Sequence, residues 1–391
     1  MVLLGEFFYK LQRVVARVRP HRVIGISPAG GGHPRGRVLV SYQPLPIVGD
    51  PEQFRGHSNV WESAEIVRCF TRLGYMVDVI GWDDITFAPP EPYTAVFDIH
   101  RNLLRYAAPE TLKIFHVTGS NPAYSNRAET HRLAALRERR GIDLVPRRRV
   151  QEQNLLLFEE HLAVADLITL IGNDVTLATF PGNIRPKMQP VIATGAWLPP
   201  EVTSAELPGD RRAFLWFNGA GAVHKGLDLV LEVFARHPEL TLHVVGPYLK
   251  ERDFVAAYRT ELFGLPNIHS HGFLYPGGGA FQQLLQRVGV FISPSCSEGM
   301  STAAITCMQA GLVPILSRNC GISLPEGVGW LLRESSLAEI EAAVMHSANA
   351  DRTSLSIMAA ASRSFALARF NRKAFSARMD EVLAEAMGTS R

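Results

Sequence analysis

Short apolar runs alternate with helical patterns along most of this chain, and that alternation constrains its fold more than any other feature. The stretch from Val288 to Leu316 shows the unit at its clearest. The apolar run Val288 to Ile292 ends in a Ser/Pro/Cys loop, Glu298 and Gly299 follow, and a Ser-Thr pair opens a short helix. Gly311 closes that helix, and Leu312 to Leu316 reads as the next strand. Strand, helix, strand in this order implies a parallel sheet with helices on its faces. In open sheets of that kind ligands sit outside the carboxyl ends of the strands. Ser301 is an N-cap whose hydroxyl can accept from an amide one turn in. The remaining bare amides favour an anion, and Glu298 is placed to accept hydrogen bonds from hydroxyls. Such a site suits a ligand with phosphate at one end and sugar hydroxyls at the other. An ordinary loop and core helix fits the same local pattern equally well.

A chain of 391 residues suits two domains. Hydrophobic residues at 47% and charged residues at 20% are ordinary for a soluble globular protein, and a net charge of +3 does not argue for nucleic acid. The four cysteines (Cys69, Cys296, Cys307, Cys320) show no paired spacing. Neither a metal cluster nor a disulfide framework is expected, and the expected compartment is reducing, hence cytoplasmic. No run reaches the roughly 18 apolar residues of a membrane span, and no small-residue cleavage site follows the apolar N-terminus. Residues 3 to 18 form an amphipathic helical pattern, with Leu3, Leu4, Phe7, Phe8, Leu11, Val14, Val15 and Val18 on one face and Glu6, Lys10, Arg13 and Arg17 on the other. This is the composition of a helix lying on the inner face of a membrane, and equally of one docked on a protein surface.

Further along, Pro28–Pro34 is glycine-rich but precedes a strand, so it reads as a flexible lead-in and not as a dinucleotide fingerprint. Strands are expected at Arg37 to Tyr42 and Met76 to Gly81, joined by a helix from Asn59 to about Leu73 with Glu62 in a capping-box position. Ala95 to His100, Lys113 to Val117, Ala165 to Ile171 and Pro190 to Ala196 are further strands. His116 stands near a strand end and is followed by the small polar loop Thr118 to Pro122; a histidine so placed is more often structural than catalytic. Residues 127 to 149 hold eight arginines (Arg127, Arg132, Arg137, Arg139, Arg140, Arg147, Arg148, Arg149) against three acids. That run reads as a solvated helix face or as a surface for an anionic acceptor or phospholipid. Few aromatics are interleaved, which argues against RNA.

The apolar pattern lapses between Pro199 and Asp210, so the expected division is an amphipathic helix at 1–20, a first domain at 21–200, a second at 211–355 and C-terminal helices at 356–391. The second domain opens with the strand Ala213 to Phe217 and the loop Asn218 to Gly226, which carries Gly219, Gly221 and Lys225. This loop is neither GxGxxG nor a Walker motif, but glycines after a strand allow close backbone approach to an anion, with Lys225 as a point charge. Strands at Leu242 to Gly246 and Asn267 to Gly272 lead back to the stretch first described, and helices fill Leu337 to Met387.

With both loops in view, the second domain resembles the retaining glycosyltransferases of the GT-B fold, in particular family four (glycosyl transferases group 1). The resemblance is carried by His224-Lys225-Gly226-Leu227-Asp228, by Val244-Val245-Gly246-Pro247, by Pro294-Ser295-Cys296-Ser297-Glu298-Gly299 and by Gln309-Ala310-Gly311-Leu312-Val313-Pro314. It covers residues 213 to 330 well, whereas the first domain matches only in architecture and in His116. It implies two facing Rossmann-like domains with C-terminal helices crossing back to the first. It also implies a nucleotide-sugar donor, a saccharide or lipid-linked acceptor held by the first domain, retention of configuration, and neither metal nor cofactor. Glu298 would hold donor-sugar hydroxyls, with His116 nearby across the cleft. Gly299 would line the donor site, and the amides of Met300, Ser301 and Thr302 would bind the diphosphate, which Lys225 would neutralise. Two positions depart from the family. Thr306 stands where a second glutamate grips the ribose, and Ala220 stands where an arginine precedes the lysine; His224 or a first-domain arginine is left to supply that charge.

Overall fold

The computed structural model describes residues 22–48, 56, 58–199, 202 and 210–388. The amphipathic stretch 3–18 and most of the expected boundary at 200–209 lie outside the described residues.

The first half builds a seven-stranded sheet from β1 (Val23–Ile26), β2 (Arg37–Tyr42), β3 (Met76–Gly81), β4 (Ala95–Asp98), β5 (Leu112–Val117), β6 (Leu167–Ile171) and β7 (Met188–Val191), in the order β1-β3-β2-β4-β5-β6-β7. All pairings are parallel except that of β1 with β3. The sequence reading has no strand at β1, a half-exposed edge of four residues that contains Gly25. It is held from inside, since the Gly25 amide donates to Asp78 Oδ1 at 2.8 Å. Asp78 is fully buried and also takes a bidentate pair from Arg37. Two helices of this half matter below. Helix α1 (Ser58–Arg72) lies between β2 and β3, and α2 (Pro122–Arg140) follows β5. Helix α2 starts cleanly because Asn121 accepts from the amides of Ala123 and Tyr124 and Pro122 stands at the first turn; Gly141 ends it in the left-handed region.

The second half is a wholly parallel six-stranded sheet of β8 (Asp210–Phe217), β9 (Thr241–Val245), β10 (Ile268–Gly272), β11 (Val288–Ser293), β12 (Val313–Ser317) and β13 (Trp330–Leu332). Its order is β10-β9-β8-β11-β12-β13. Counted from β8 this is 3-2-1-4-5-6, the doubly wound order, whose switch point lies between β8 and β11. The loops leaving those two strands mark the place where sheets of this order bind ligands. They are the glycine loop, which leads into α3 (Leu227–Phe234), and the Glu298 loop, which leads into α4 (Thr302–Gln309).

Three helices close the chain: α5 (Leu337–Asn349), α6 (Arg352–Arg369) and α7 (Arg372–Ala386). Helix α6 stays with the second sheet. Its buried residues Leu355, Ala359, Ser362 and Ala366 recur at helical spacing, and Ser362 Oγ donates to the Leu312 carbonyl at 3.0 Å. Helix α7 crosses to α1, where Phe375 meets Trp61 edge-on at 5.4 Å and Arg72 pairs with Asp380 at 2.9 Å. The crossing thus falls at Phe370-Asn371, later than the expected residue 356, because Phe370 breaks the helix and Asn371 caps the next. The apolar core runs without interruption from β2 and β3 through α4 into α7.

Candidate active site

The two loops at the switch point are laced together. The Cys296 amide donates to the His224 carbonyl at 2.9 Å, and His224 Nε2 donates to the Ser297 carbonyl at 2.8 Å. Lys225 then pairs with Glu298, which also accepts from Ser295 Oγ at 3.0 Å. Gly226 must be glycine. It sits at φ +74°, and a Cβ would fall 2.7 Å from the Pro294 carbonyl and 2.6 Å from the Pro294 ring.

Charge at this point is set by burial and pairing. Burial works to raise the Glu298 carboxyl, but the Lys225 charge and its hydrogen bond, with the Arg148 guanidinium beyond them, hold it below the ordinary 4.5. Burial first, then Lys225, pushes His224 from 6.5 to about 4, so its imidazole is neutral and carries its proton on Nε2. His224 is thereby removed as the source of the missing positive charge.

Helix α4 begins as expected, with Ser301 Oγ accepting from the Ala304 amide at 3.3 Å. The amides of Met300, Thr302 and Ala303 find no acceptor among the described residues. The Ser301 amide is different, since it donates to the Cys320 carbonyl at 2.9 Å and is not available to a diphosphate. The glycine loop is corrected in the same way. The Gly221 amide donates to Glu251 at 2.7 Å and the Ala222 amide at 3.0 Å, so an internal carboxylate takes the place expected for a phosphate. Gly219 stays open, with nothing within 4 Å of a would-be Cβ.

His116 is not at the surface of the site. It is fully buried, stacked on Phe97, with Nδ1 2.7 Å from Thr169 Oγ1 and Nε2 3.1 Å from Glu62 Oε1. What the first half brings to Glu298 is the loop after His116. Ser120 Oγ donates to the Glu298 carbonyl, and Thr176 Oγ1 donates to the Gly299 carbonyl at 2.8 Å. Gly299 lies so close that a Cβ would stand 2.6 Å from the carbonyls of both Thr118 and Ile171.

Thr306 is buried as well. Its Oγ1 accepts from the Ala196 amide at 2.8 Å and donates to the Thr302 carbonyl at 2.7 Å. Gly195 packs over it, with a would-be Cβ 3.2 Å from Thr306 Cα. Where a ribose-binding glutamate was the comparison, the chain's own backbone fills the space.

The arginine run proves to be neither a free basic face nor a plain solvated one. Arg139 bridges Asp228 at 2.9 Å and Glu232 at 3.2 Å, Arg140 reaches Glu261 at 2.6 Å, Arg147 pairs with Asp253, and Arg132 donates to the Pro294 carbonyl at 2.9 Å. Four of the eight therefore tie the first half to the second. Sequence reasoning also passed over Asn218, whose Nδ2 is buried beside Ser293 without a partner among the described residues. No sequence signal singles it out from other loop asparagines. Among the described residues no group of three or more His, Cys, Asp or Glu could hold a metal ion, and no helix is long and apolar enough to cross a membrane.

Residues 212–349 match the family described as Glycosyl transferases group 1. Fold and matched segment agree: the chain has GT-B architecture, and the segment that matches glycosyl transferases group 1 lies in its second half. The chain is similar in structure to sucrose-phosphate synthase from Thermosynechococcus elongatus, with a TM-score of 0.63 at 15% identity over 90% of this chain and 99% of that one. It is also similar to HepE of Anabaena in complex with UDP-glucose, with a TM-score of 0.58 at 12% identity over 90% and 100%. Against TarM the TM-score is 0.52 at 9% identity over 75% of this chain and 54% of that one, so the chain spans about half the length of TarM. Comparison with curated protein sequences finds no match.

Proposed function

We propose that the protein moves a hexosyl group from a nucleotide-sugar donor to a saccharide or lipid-linked acceptor, with retention of anomeric configuration and without a metal or other cofactor. The observation that carries this reading is the pairing of Lys225 with Glu298 at the switch point of the second sheet, beside the free amides of Met300 and Thr302. A cation, a carboxylate and a helix N-terminus within one crevice suit a diphosphate joined to a sugar. On this reading the donor separates the pair. Lys225 turns to the diphosphate, and Glu298 accepts hydrogen bonds from the sugar hydroxyls. Charge developing on the leaving diphosphate is met by Lys225 and by the fixed amide dipoles, which need no reorganisation during the reaction. The diphosphate oxygen in turn takes the proton of the acceptor hydroxyl on the same face. The similarity to HepE, crystallised with UDP-glucose, supports a nucleotide-sugar donor. The reading also places the enzyme at the cytoplasmic face of a membrane, in polysaccharide biosynthesis, with residues 3–18 as the surface contact. Deleting residues 1–18 abolishes liposome co-sedimentation on this account, and unchanged co-sedimentation removes the membrane from it.

A second reading, a non-catalytic sugar-nucleotide-binding protein of the same fold, is favoured by Glu251 and Thr306, which spend on internal contacts what a donor would use. One experiment separates the two. Release of free nucleoside diphosphate is measured over a panel of nucleotide sugars with pooled saccharide and lipid acceptors, for the wild type and for Glu298→Ala. Release by the wild type that is lost in the variant is the expected result. Nucleotide binding without release from any donor establishes the second reading instead.

A further inference from the structure

We propose that Arg148, carried by the first half of the chain, binds the diphosphate of the donor, so that the donor site is completed only when both halves are in place. The inference deepens the nucleotide-sugar reading and rests on it. It starts from charge. Lys225 is already countered by Glu298, and His224 is neutral. Glu129 and Glu251, the other carboxylates of this region, are spent on backbone amides. A donor diphosphate entering here brings at least two negative charges, and the Lys225–Glu298 pair offers no net positive charge to meet them.

Arg148 is built to do so. Its backbone is fixed on both sides: its amide and that of Arg147 donate to Glu129 at 3.0 to 3.2 Å, and Asn126 holds Val150 through two hydrogen bonds of 2.8 Å. From this anchored loop the side chain reaches across to the glycine loop and lays its stem on Gly221, where a Cβ would fall 2.7 Å from Arg148 Cγ. The positive φ of Gly221, +94°, and the absence of a side chain there are what admit it. The guanidinium lies near enough to lower the Glu298 and His224 carboxyl and imidazole pKa values. Arg148 is exposed, and its side chain has no hydrogen-bond or ion-pair partner among the described residues. Its neighbour Arg147 is turned away onto Asp253. An immobilised backbone with an unpartnered planar donor group at its head is suited to two-point capture of phosphate oxygens. Contact with both halves also means that donor binding favours their closed arrangement over any open one.

The test is calorimetric titration of the full chain with UDP, GDP and ADP and with the corresponding nucleosides. Arg148→Met keeps the stem over Gly221 and removes the charge, and Arg148→Lys keeps the charge without the fork. For the diphosphate that the wild type binds, Arg148→Met weakens affinity roughly tenfold to a hundredfold, the range of hydrogen bonds to charged groups, with Arg148→Lys in between. Affinity for the nucleoside alone is unchanged. Equal diphosphate affinity in Arg148→Met and wild type overturns the assignment and leaves the donor reading standing. Equal weakening for nucleoside and diphosphate overturns it too, because a damaged loop would produce that pattern. A wild type that binds none of the three diphosphates overturns the donor reading and this inference with it.

Discussion

Thr306→Val isolates a contact that the structure makes specific. The substitution keeps the shape of the side chain and removes the hydroxyl that accepts from the Ala196 amide at 2.8 Å. The Thr302 carbonyl also loses its contact from that hydroxyl but keeps its helical partner one turn on. One buried donor is left without an acceptor, and such a group costs about 1–3 kcal/mol. Expressed as local opening, this is roughly a five- to hundredfold faster amide hydrogen exchange at Ala196. Thr306→Ser, which retains the hydroxyl, exchanges close to the wild-type rate. Exchange at Ala196 within about twofold of wild type in Thr306→Val, or equal rates in the two variants, refutes the reasoning. The same packing bears on Thr306→Glu. Gly195 and Ala196 fill the space a longer side chain needs, so restoring the family's acidic residue destabilises the protein and does not tighten nucleotide binding.

Gly299→Ala places a Cβ 2.6 Å from two carbonyls of the first half. We expect a loss of about 1–3 kcal/mol, as for overpacking generally, read as a lower midpoint in thermal unfolding; an unchanged midpoint would count against the closed contact. Acid sensitivity follows from His161, which burial first, and then His100, lower from 6.5 to about 4; neither ring nitrogen is hydrogen-bonded among the described residues, and Asp98 Oδ2 stands 3.9 Å from Nδ1. A histidine kept neutral in the fold gives stability that is full above pH 6.5 and is lost as pH falls towards 4, because the unfolded chain takes up the proton. His161→Phe therefore flattens the decline of stability between pH 6.5 and 5, and an identical slope in wild type and variant rejects this source. Glu298, held below its ordinary 4.5, contributes in the same sense but lower, its stability being present above pH 4.5 and lost below it. Turnover is expected to be unchanged after treatment with EDTA; abolition by EDTA with recovery on adding a divalent cation would contradict the charge assignment made to Lys225.

The alternation of strands and helices was legible because each apolar run is short and bounded by turn residues, and most strands fall within a residue or two of their expected places. So was the cap at Ser301, a local hydrogen bond that a local pattern can report. His116 was misplaced for a definite reason. β5 is buried on both faces towards its end, so the two-residue alternation that would separate a core-facing from a crevice-facing side chain carries no signal there. The Ser301 amide, the Gly221 amide and the Thr306 hydroxyl all find partners that are distant in sequence, namely Cys320, Glu251 and Ala196. No spacing rule connects them. The arginine run misled through composition. Eight like charges in one stretch suggest a surface for an anion, but the acids that answer three of them, and the carbonyl that answers a fourth, belong to the other half of the chain.

On the nucleotide-sugar reading, the Lys225–Glu298 pair is a donor site closed on itself. A crystal structure with a bound nucleotide sugar tests it most directly. The expected complex has the pair separated, the diphosphate on Lys225 and on the amides of Met300 and Thr302, and the sugar hydroxyls on Glu298. A nucleotide sugar bound elsewhere, with Lys225 and Glu298 still paired, would contradict it.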